Sequence, residues 1–276
     1  MKELSLSEIQ QSSLNILKWI DEVCETNGIK YSLAYGTLLG AIRHKGFIPW
    51  DDDVDIMMAR PYYEKFLSLL ESKEMDIYPY EVLNMRTNNN CPHVISRVSD
   101  SRYKLIVENE SDYGLGTFVD IYVVDGIGKT QEEAEKIISM TMKYPSLIFL
   151  STRNHFSVGG TKGLVKRILK FPAYIIAKIL GKSFWCARLN KIIRNLNYDA
   201  STYVGIVEWG ERPKSPSRKV MLKQWINNPL LVDFEGYKFR APNNYDAVLK
   251  LNYGDYMQLP QEKDRVPHHL YKAYKK

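Results

Sequence analysis

Apolar residues recur at helical spacing in some stretches of the chain and alternate with polar residues in others. Over residues 8–26 the spacing is helical, Ser7 and Gln10 form a candidate capping box, and an Asn-Gly pair ends the helix. A later helix begins behind Pro61, which occupies the first turn, where proline is tolerated. The pattern predicts, in order, helix 8–26, strand 29–34, helix 36–44, a strand carrying residues 53–58, helix 62–72 and strands at 78–84, 93–99, 103–108 and 117–124.

A run of carboxylates stands at the start of one of these strands. The run consists of Asp51, Asp52, Asp53 and Asp55. From residue 53 onward it alternates with apolar residues at positions 54, 56 and 58. Period-two alternation places Asp53 and Asp55 on one face, where their charges repel each other. A divalent cation such as Mg²⁺ relieves this repulsion, because it prefers oxygen ligands. A solvated acidic turn is the alternative, whereas an EF-hand is excluded because its sixth position would be Ile56 instead of glycine.

The order of elements around the carboxylates is informative in itself. Gly36 and Thr37 follow a predicted strand and open a helix, and backbone N–H groups at a helix N-terminus favour phosphate. The order of strand, Gly-Thr helix and Asp-x-Asp strand matches the nucleotidyltransferase fold of the DNA polymerase β-like superfamily. In that superfamily a third carboxylate comes from a later, neighbouring strand, for which Asp120 is the candidate. The predicted fold class is therefore α/β (α+β), a mixed sheet with flanking helices.

Charge is distributed unevenly along the chain. Overall the 276 residues carry a net charge of +6, yet no Asp or Glu lies between Glu135 and Asp199. Residues 136–198 contain twelve Lys or Arg, so the remaining 26 basic and 32 acidic residues make the rest of the chain net acidic. This segment is predicted to be helical, with an aliphatic stripe opposite its cations and a break or kink near Phe171, before Pro172. The stripe either lies in an anionic membrane interface or packs on the core of the protein.

Composition excludes some classes of protein. Cys24, Cys91 and Cys186 are dispersed and show no C-x-x-C spacing, so neither a disulfide framework nor a zinc ribbon is expected. Neither a signal peptide nor an apolar run of membrane-spanning length is evident, and we expect a cytoplasmic protein. Nucleic-acid binding is disfavoured, because the cations back an aliphatic stripe and are not interleaved with aromatic residues. A non-enzymatic, membrane-binding role stays open as an alternative.

Three stretches of the sequence resemble the LicD/fukutin family of enzymes that transfer phosphosugar and phosphocholine groups. The first is YGTLLGAIRHKGFIPWDDDVDI at residues 35–56, and the second is GTFVDIYVVD at 116–125. The third runs from residues 234–242 to YGDYM at 253–257 and Pro260. The resemblance covers about residues 28–125 and 230–270. The basic segment 136–198 matches nothing in the family residue by residue.

This resemblance implies a Mg²⁺-dependent (or Mn²⁺-dependent) transfer from a CDP-activated donor to a glycan hydroxyl, with release of CMP. Family members use CDP-choline to modify teichoic acid, lipopolysaccharide or related glycans, or use CDP-ribitol; a CDP-glycerol donor is a further alternative. Asp53, Asp55 and Asp120 are the predicted catalytic and metal-binding residues, with Asp120 as a second-metal ligand or a proton acceptor. Fukutin-related members carry a cysteine-based zinc site, but three dispersed cysteines cannot supply one, so no zinc is expected.

Further residues are predicted to bind the donor. Most of these candidates are close in sequence to the first motif or belong to the aromatic C-terminal part: Gly36, Thr37, Arg43, His44, Asp51, Glu208, Trp209, Tyr253 and Tyr256. The aromatic ones would form a cage for the quaternary ammonium of choline. We expect a core at 1–135, a basic helical insertion at 136–200 and a C-terminal region at 201–276 that packs on the core. A lipid-linked acceptor would place the enzyme at the inner face of the cytoplasmic membrane.

Overall fold

The computed structural model describes residues 2–72, 75–88, 90–156, 164–209, 219–266 and 271–276, with the backbone alone for 164–169. The first half comprises β1 (Lys2–Glu3), α1 (Leu6–Thr26), β2 (Ser32–Leu33), α2 (Tyr35–Arg43), β3 (Asp55–Ala59), α3 (Arg60–Glu71), β4 (Tyr80–Leu83), β5 (Ser96–Asp100), β6 (Tyr103–Val107) and β7 (Thr117–Gly128). The second half comprises α4 (Gln131–Thr141), α5 (Lys143–Thr152), α6 (Leu164–Ile193), β8 (Tyr203–Gly205), β9 (Met221–Leu222), β10 (Leu230–Phe234), β11 (Tyr237–Ala241), α7 (Tyr245–Tyr253) and β12 (Tyr271–Lys275). Within the described residues, no helix is both long and apolar enough to cross a bilayer.

A mixed sheet forms the centre of the fold, which confirms the predicted α/β class. Its strand order is β2-β3-β7-β5-β4, and β8 and β9 extend it from the distal part of β7. The pair β3–β7 is parallel, whereas β2–β3, β5–β7 and β4–β5 are antiparallel. Two smaller sheets, β1-β12-β6 and the hairpin β10-β11, complete the described strands.

The central strands are buried on both faces, because helices cover the sheet. All five residues of β3 are buried, so the polar-apolar alternation there does not mark an exposed face. From α1, Ile16, Leu17 and Ile20 have no exposed surface, and this helix packs on β7. Phe66 of α3 is equally buried. The Asp cluster therefore begins a core strand, where unpaired charge is costly.

Local structure departs from the predictions at the start of α1. Ser5, not Ser7, caps the helix: its hydroxyl accepts the Glu8 N–H, and the Glu8 carboxylate accepts the Ser5 N–H. Glu8 thus completes a Ser-x-x-Glu capping box, in which the glutamate carboxylate accepts the N–H of the capping serine. The Gln10 side chain takes no part in capping; it donates to the backbone carbonyl of Asp51 at 2.8 Å.

The basic segment also differs from expectation in one respect. The helix α6 continues through Pro172, and the non-helical residue within it is Gly181, with φ of 75°. Glycine adopts positive φ without the steric cost that a Cβ imposes, so the break falls there. The C-terminal part contributes β8 to β12 and α7. The proposed division at residues 135 and 200 stays a prediction.

Candidate active site

Carboxylates from two neighbouring strands meet at one end of the central sheet. Asp55 is the first residue of β3 and is paired in register with Asp120 of β7, and Asp53 precedes β3. Asp53, Asp55 and Asp120 each offer a carboxylate oxygen within 4.8 Å of the others'. Asp51, Asp52 and Asp53 form a second such group. The structure thus brings together the predicted metal ligands, and it places Asp52 beside them despite its opposite strand parity.

Distant parts of the chain fix the backbone that carries these carboxylates. The hydroxyl of Thr37, near the start of α2, accepts the Asp55 N–H at 2.8 Å. The Gln10 side chain of α1 donates to the backbone carbonyl of Asp51, and the Tyr271 hydroxyl of β12 donates to the backbone carbonyl of Asp52. Both hydrogen bonds are 2.8 Å long. Thr37 was predicted to bind phosphate, and in this structure its hydroxyl oxygen accepts a hydrogen bond from β3. Its O–H can still donate, so the phosphate contact stays a prediction.

Gly36 allows the Asp loop to approach α2 closely. A Cβ built on Gly36 would lie 2.5 Å from Oδ2 of Asp51, closer than real side chains pack. Any larger residue would therefore push the Asp51 carboxylate away. The close neighbour of this glycine is a carboxylate of the loop, where the sequence suggested donor phosphate.

Burial and mutual repulsion make Asp55 the most perturbed carboxylate of the site. Burial raises the pKa of Asp55 well above its usual value, and the charges of Asp53, Asp120 and Asp51 raise it further. A hydrogen bond from the Tyr122 hydroxyl acts in the opposite direction. The second oxygen, Oδ1, is buried and has no hydrogen-bond partner. An oxygen-only donor set with one unsatisfied buried oxygen fits a hard divalent cation such as Mg²⁺.

A buried arginine that the sequence analysis missed lies against this cluster. Nε of Arg97 donates to Oδ1 of Asp120 at 2.6 Å, and its Nη1 donates to the Tyr113 hydroxyl at 2.7 Å. The guanidinium lies 4.3 Å from the ring centre of Phe118. Burial alone would lower the pKa of Arg97, but Asp120, with Tyr113 and Glu110, outweighs burial and raises it. Arg97 thus places one fixed positive charge beside the carboxylates.

A second buried ion pair, Arg153–Glu110, lies close enough to Arg97 to affect its pKa. Arg153 donates to Oε1 of Glu110 at 2.6 Å, and Nε2 of His93 lies 3.3 Å from the other oxygen. Burial and then Arg97 lower the pKa of His93, against the opposing effect of Glu110. Burial would raise the pKa of Glu110, but His93, followed by Arg153, lowers it from 4.5 to about 2.

Aromatic rings surround the tyrosine that contacts Asp55. Tyr122 packs edge-to-face against Tyr35, with ring centres 4.7 Å apart, and against Trp209, at 5.4 Å. Tyr35 has a φ of 40°, a left-handed conformation that is strained for a non-glycine residue. Of this aromatic group, Tyr35, Tyr122 and Trp209, the sequence analysis identified Trp209 alone. Tyr122 could have been found, because it is two residues after Asp120 on the same strand face.

Glu208 is engaged in an ion-pair network. Its Oε1 accepts from Nη2 of Arg60 at 3.1 Å, and the same guanidinium binds both oxygens of Asp125 at 2.8 Å. Burial raises the pKa of Glu208 to about 7, against the opposing effect of Arg60. Glu208 adjoins Trp209 in sequence, but its carboxylate forms an ion pair with Arg60.

The remaining predicted residues lie away from the carboxylates, around the C-terminal end of α2. Arg43 donates to the carbonyl of Tyr256 at 2.8 Å, and the Tyr256 hydroxyl donates to Asp246. Burial, followed by Arg43, lowers the pKa of His44. Tyr253, at the end of α7, is partly exposed. Because α2 is nine residues long, roughly 13 Å separates its two ends, so Arg43 and His44 lie at the end remote from Gly36 and Thr37. Donor binding by these four residues stays a prediction.

Comparison with known proteins identifies the class of protein and its family. A family model described as LicD/FKTN/FKRP, nucleotidyltransferase domain, matches residues 28–134, the stretch that carries the clustered carboxylates. A relative named lipopolysaccharide cholinephosphotransferase LicD, from Haemophilus influenzae, is 32% identical over 283 residues, 99% of each chain. The chain is thus an enzyme of the phosphotransferase class. It belongs to the LicD family, as the three sequence motifs indicated.

Two further relatives match short segments. An uncharacterised protein of Rickettsia typhi is 47% identical over 57 residues, 20% of this chain and 18% of its own. One of Rickettsia prowazekii is 51% identical over 45 residues, 16% of this chain and 17% of its own. Both resemblances are local and support no statement about function.

Proposed function

We propose that this enzyme transfers phosphocholine from CDP-choline to a hydroxyl group of a cell-surface glycan, with lipopolysaccharide as the first candidate, and releases CMP. The observation that carries the proposal is the cluster of Asp53, Asp55 and Asp120, with its unsatisfied buried oxygen on Asp55. The full-length similarity to a lipopolysaccharide cholinephosphotransferase supports the choice of phosphocholine. The order of strand, Gly-Thr helix and Asp strand supports a nucleotidyltransferase fold.

The carboxylates would act by holding a cation and orienting the two reacting groups. Asp53 and Asp55 would ligate Mg²⁺, or Mn²⁺, with Asp51 assisting from the adjacent loop. The ion would neutralise charge on the donor diphosphate, which is the main requirement of phosphoryl transfer. Asp120 is held by Arg97 and faces the same cluster, where it would accept the proton of the acceptor hydroxyl. Arg97 would limit charge repulsion while the donor enters.

The aromatic group would provide the site for choline. A quaternary ammonium ion cannot donate an N–H hydrogen bond and binds to the faces of aromatic rings. Tyr35, Tyr122 and Trp209 lie together, and the group adjoins Asp55 through the Tyr122 hydroxyl. Trp209 thus stays a predicted cage residue, and Tyr35 and Tyr122 join it.

A panel of activated donors tests this proposal. Purified enzyme with Mg²⁺ and a glycan acceptor is incubated with CDP-choline, CDP-ribitol, CDP-glycerol or a nucleoside triphosphate, and CMP and pyrophosphate are measured. We expect CMP from CDP-choline, and its loss in Asp55→Asn but not in Asp233→Asn, an exposed aspartate paired with Lys238. CMP from another CDP-donor alone would indicate an alditol phosphate transferase. Pyrophosphate from a triphosphate would indicate nucleotidyl transfer, and either result would overturn the choline proposal.

The acceptor is proposed to be carried on a lipid, at the inner face of the cytoplasmic membrane. Teichoic acid and capsule precursors are the alternatives to lipopolysaccharide, and each of them can be supplied as the acceptor in the same assay. Incorporation of labelled choline into one of these glycans, and not into the others, would identify the acceptor.

A further inference from the structure

The helix α6 presents an exposed apolar face that the described part of the chain leaves largely uncovered. Phe171 at its start is 47% exposed and packs edge-to-face on Phe156, with ring centres 5.1 Å apart. Phe171, Ile175 and Ile179 follow one another at intervals of four residues, and Ile176 and Leu180 lie beside them. Exposure reaches 77% for Ile179 and 51% for Ile176. Buried aliphatic side chains are the rule in soluble proteins, so a contiguous exposed patch of this kind marks an interaction surface.

The opposite face of the same helix is already used for packing. Ala177 has no exposed surface and Tyr174 is 9% exposed, and α6 packs against α5 at this face. The sequence left two uses open for the aliphatic stripe. In the structure its described residues face outward: Ile175, Ile176, Ile179 and Leu180. Packing on the catalytic core is incorrect for these residues, and those at 164–169 lie outside the described side chains.

The charge of the segment indicates what the face would contact. Twelve Lys or Arg and no Asp or Glu occur in residues 136–198, and Lys170 and Lys178 are exposed on α6 itself. An amphipathic helix with an apolar face and a basic border binds in the interface of an anionic bilayer, where apolar burial and charge attraction add. A second copy of the chain would bring like charges together, which disfavours self-association through this face.

We infer that the outward face of α6, formed by Phe171, Ile175, Ile176, Ile179 and Leu180 with its basic border, docks the enzyme on an anionic lipid bilayer. This docking is independent of the phosphocholine transfer proposed for the carboxylate site. It would hold the enzyme at the surface where a lipid-linked acceptor is found.

Vesicle flotation tests the docking surface. Full-length protein, without donor or Mg²⁺, is mixed with vesicles of phosphatidylethanolamine and phosphatidylglycerol, or with vesicles of phosphatidylcholine. We expect flotation with the first, weakened by salt, and little with the second. Flotation with phosphatidylcholine alone would point to headgroup binding at a choline site and would overturn the inference. Absence of flotation with either vesicle would overturn it as well.

Substitutions assign the binding to α6. Ile176→Glu/Ile179→Glu should lower the partition coefficient on anionic vesicles at least about tenfold, because it adds repulsion and removes apolar contact. Leu231→Glu, at a residue of β10 that is 61% exposed, is the matched control and should bind as the original protein does. Ile179→Ser tests the apolar contribution without added charge, and circular dichroism checks that each variant is folded.

Three outcomes would contradict the assignment to this face. Unchanged flotation of the double variant would mean that another surface binds lipid. An equal loss in Leu231→Glu would mean a non-specific effect of charge. A dimer in light scattering that becomes a monomer in the double variant would mean that a second copy covers the face.

Discussion

Replacing Arg97 with methionine tests whether a fixed positive charge holds the carboxylate cluster together. Methionine keeps much of the length and apolar contact of the arginine stem but removes its bonds to Asp120 and Tyr113. The side chains of Arg97 and Asp120 are 8% and 4% exposed, so water cannot compensate for the loss. The variant would leave Asp120 beside Asp55 and Asp53 without its partner.

The expected loss of stability follows from the burial of the pair. Removing one partner of a buried ion pair costs about 3–5 kcal/mol, since it leaves an uncompensated charge. Removing both partners costs much less than the sum of the single changes, because neither charge then stays buried alone. We therefore expect a coupling free energy of about 2–3 kcal/mol between Arg97→Met and Asp120→Asn.

Urea denaturation of the four proteins of this double-mutant cycle, without divalent cations, measures the coupling. Arg86→Met is the matched control: Arg86 pairs with Glu64 and Glu71, but its side chain is 54% exposed. We expect this control to lose at most about 1 kcal/mol. Repeating the cycle with Mg²⁺ should stabilise Arg97→Met by about 2.7 kcal/mol at a concentration a hundred times its Kd, and the original protein by less.

Additive free energies would refute the reasoning. If the double variant loses the sum of the two single losses within about 0.5 kcal/mol, Arg97 and Asp120 do not act as a pair. If Mg²⁺ stabilises the original protein as much as Arg97→Met, the guanidinium does not offset the charge of the cation site.

Three further predictions concern residues around the site. Gly36→Ala should displace the carboxylate of Asp51 and reduce the rate of CMP release at least about tenfold, with a loss of unfolding free energy under about 1 kcal/mol; normal release would refute the close approach. Glu110 has its pKa lowered from 4.5 to about 2, so its contribution of up to about 3 kcal/mol is present above pH 4.5 and lost as the pH falls towards 2. In acid denaturation Glu110→Gln should flatten this dependence, and an unchanged slope would contradict it. Tyr122→Phe removes the hydroxyl bonded to Asp55 and should lower the free energy of unfolding by about 1–3 kcal/mol in urea; a neutral change would mean that the bond is not formed.

The sequence was most informative where local pattern and element order coincide. Asp53 and Asp55 were assigned to one strand face from period-two alternation, and Asp120 to a neighbouring strand from the resemblance to the nucleotidyltransferase superfamily. The structure places all three within one cluster, since β3 and β7 are parallel neighbours with Asp55 opposite Asp120. Their catalytic roles stay predictions, which the donor panel tests.

The sequence did not reveal Arg97, which contacts the cluster because of the register of an antiparallel strand. Arg97 lies opposite Asp120 because β5 pairs with β7 in one particular register, and a shift by a single residue would turn Arg97 to the other face. The register between strands joined by a long connection is not encoded in local periodicity. Arg43 and His44 were predicted to bind the donor because they are near the motif in sequence. The length of α2 places them at the end of the helix remote from Gly36 and Thr37, and their contact with the donor stays a prediction.

The backbone of the Asp loop shows why the active site needs more of the chain than its central motifs. Residues 28–134 contain the clustered carboxylates, yet two of the hydrogen bonds that hold the loop come from outside this range. Gln10 of α1 binds the carbonyl of Asp51, and Tyr271 of β12 binds that of Asp52. Each bond fixes a backbone group beside mutually repelling carboxylates, which would otherwise drive the loop apart. The two ends of the chain thus hold in place a site whose ligands are supplied by its middle.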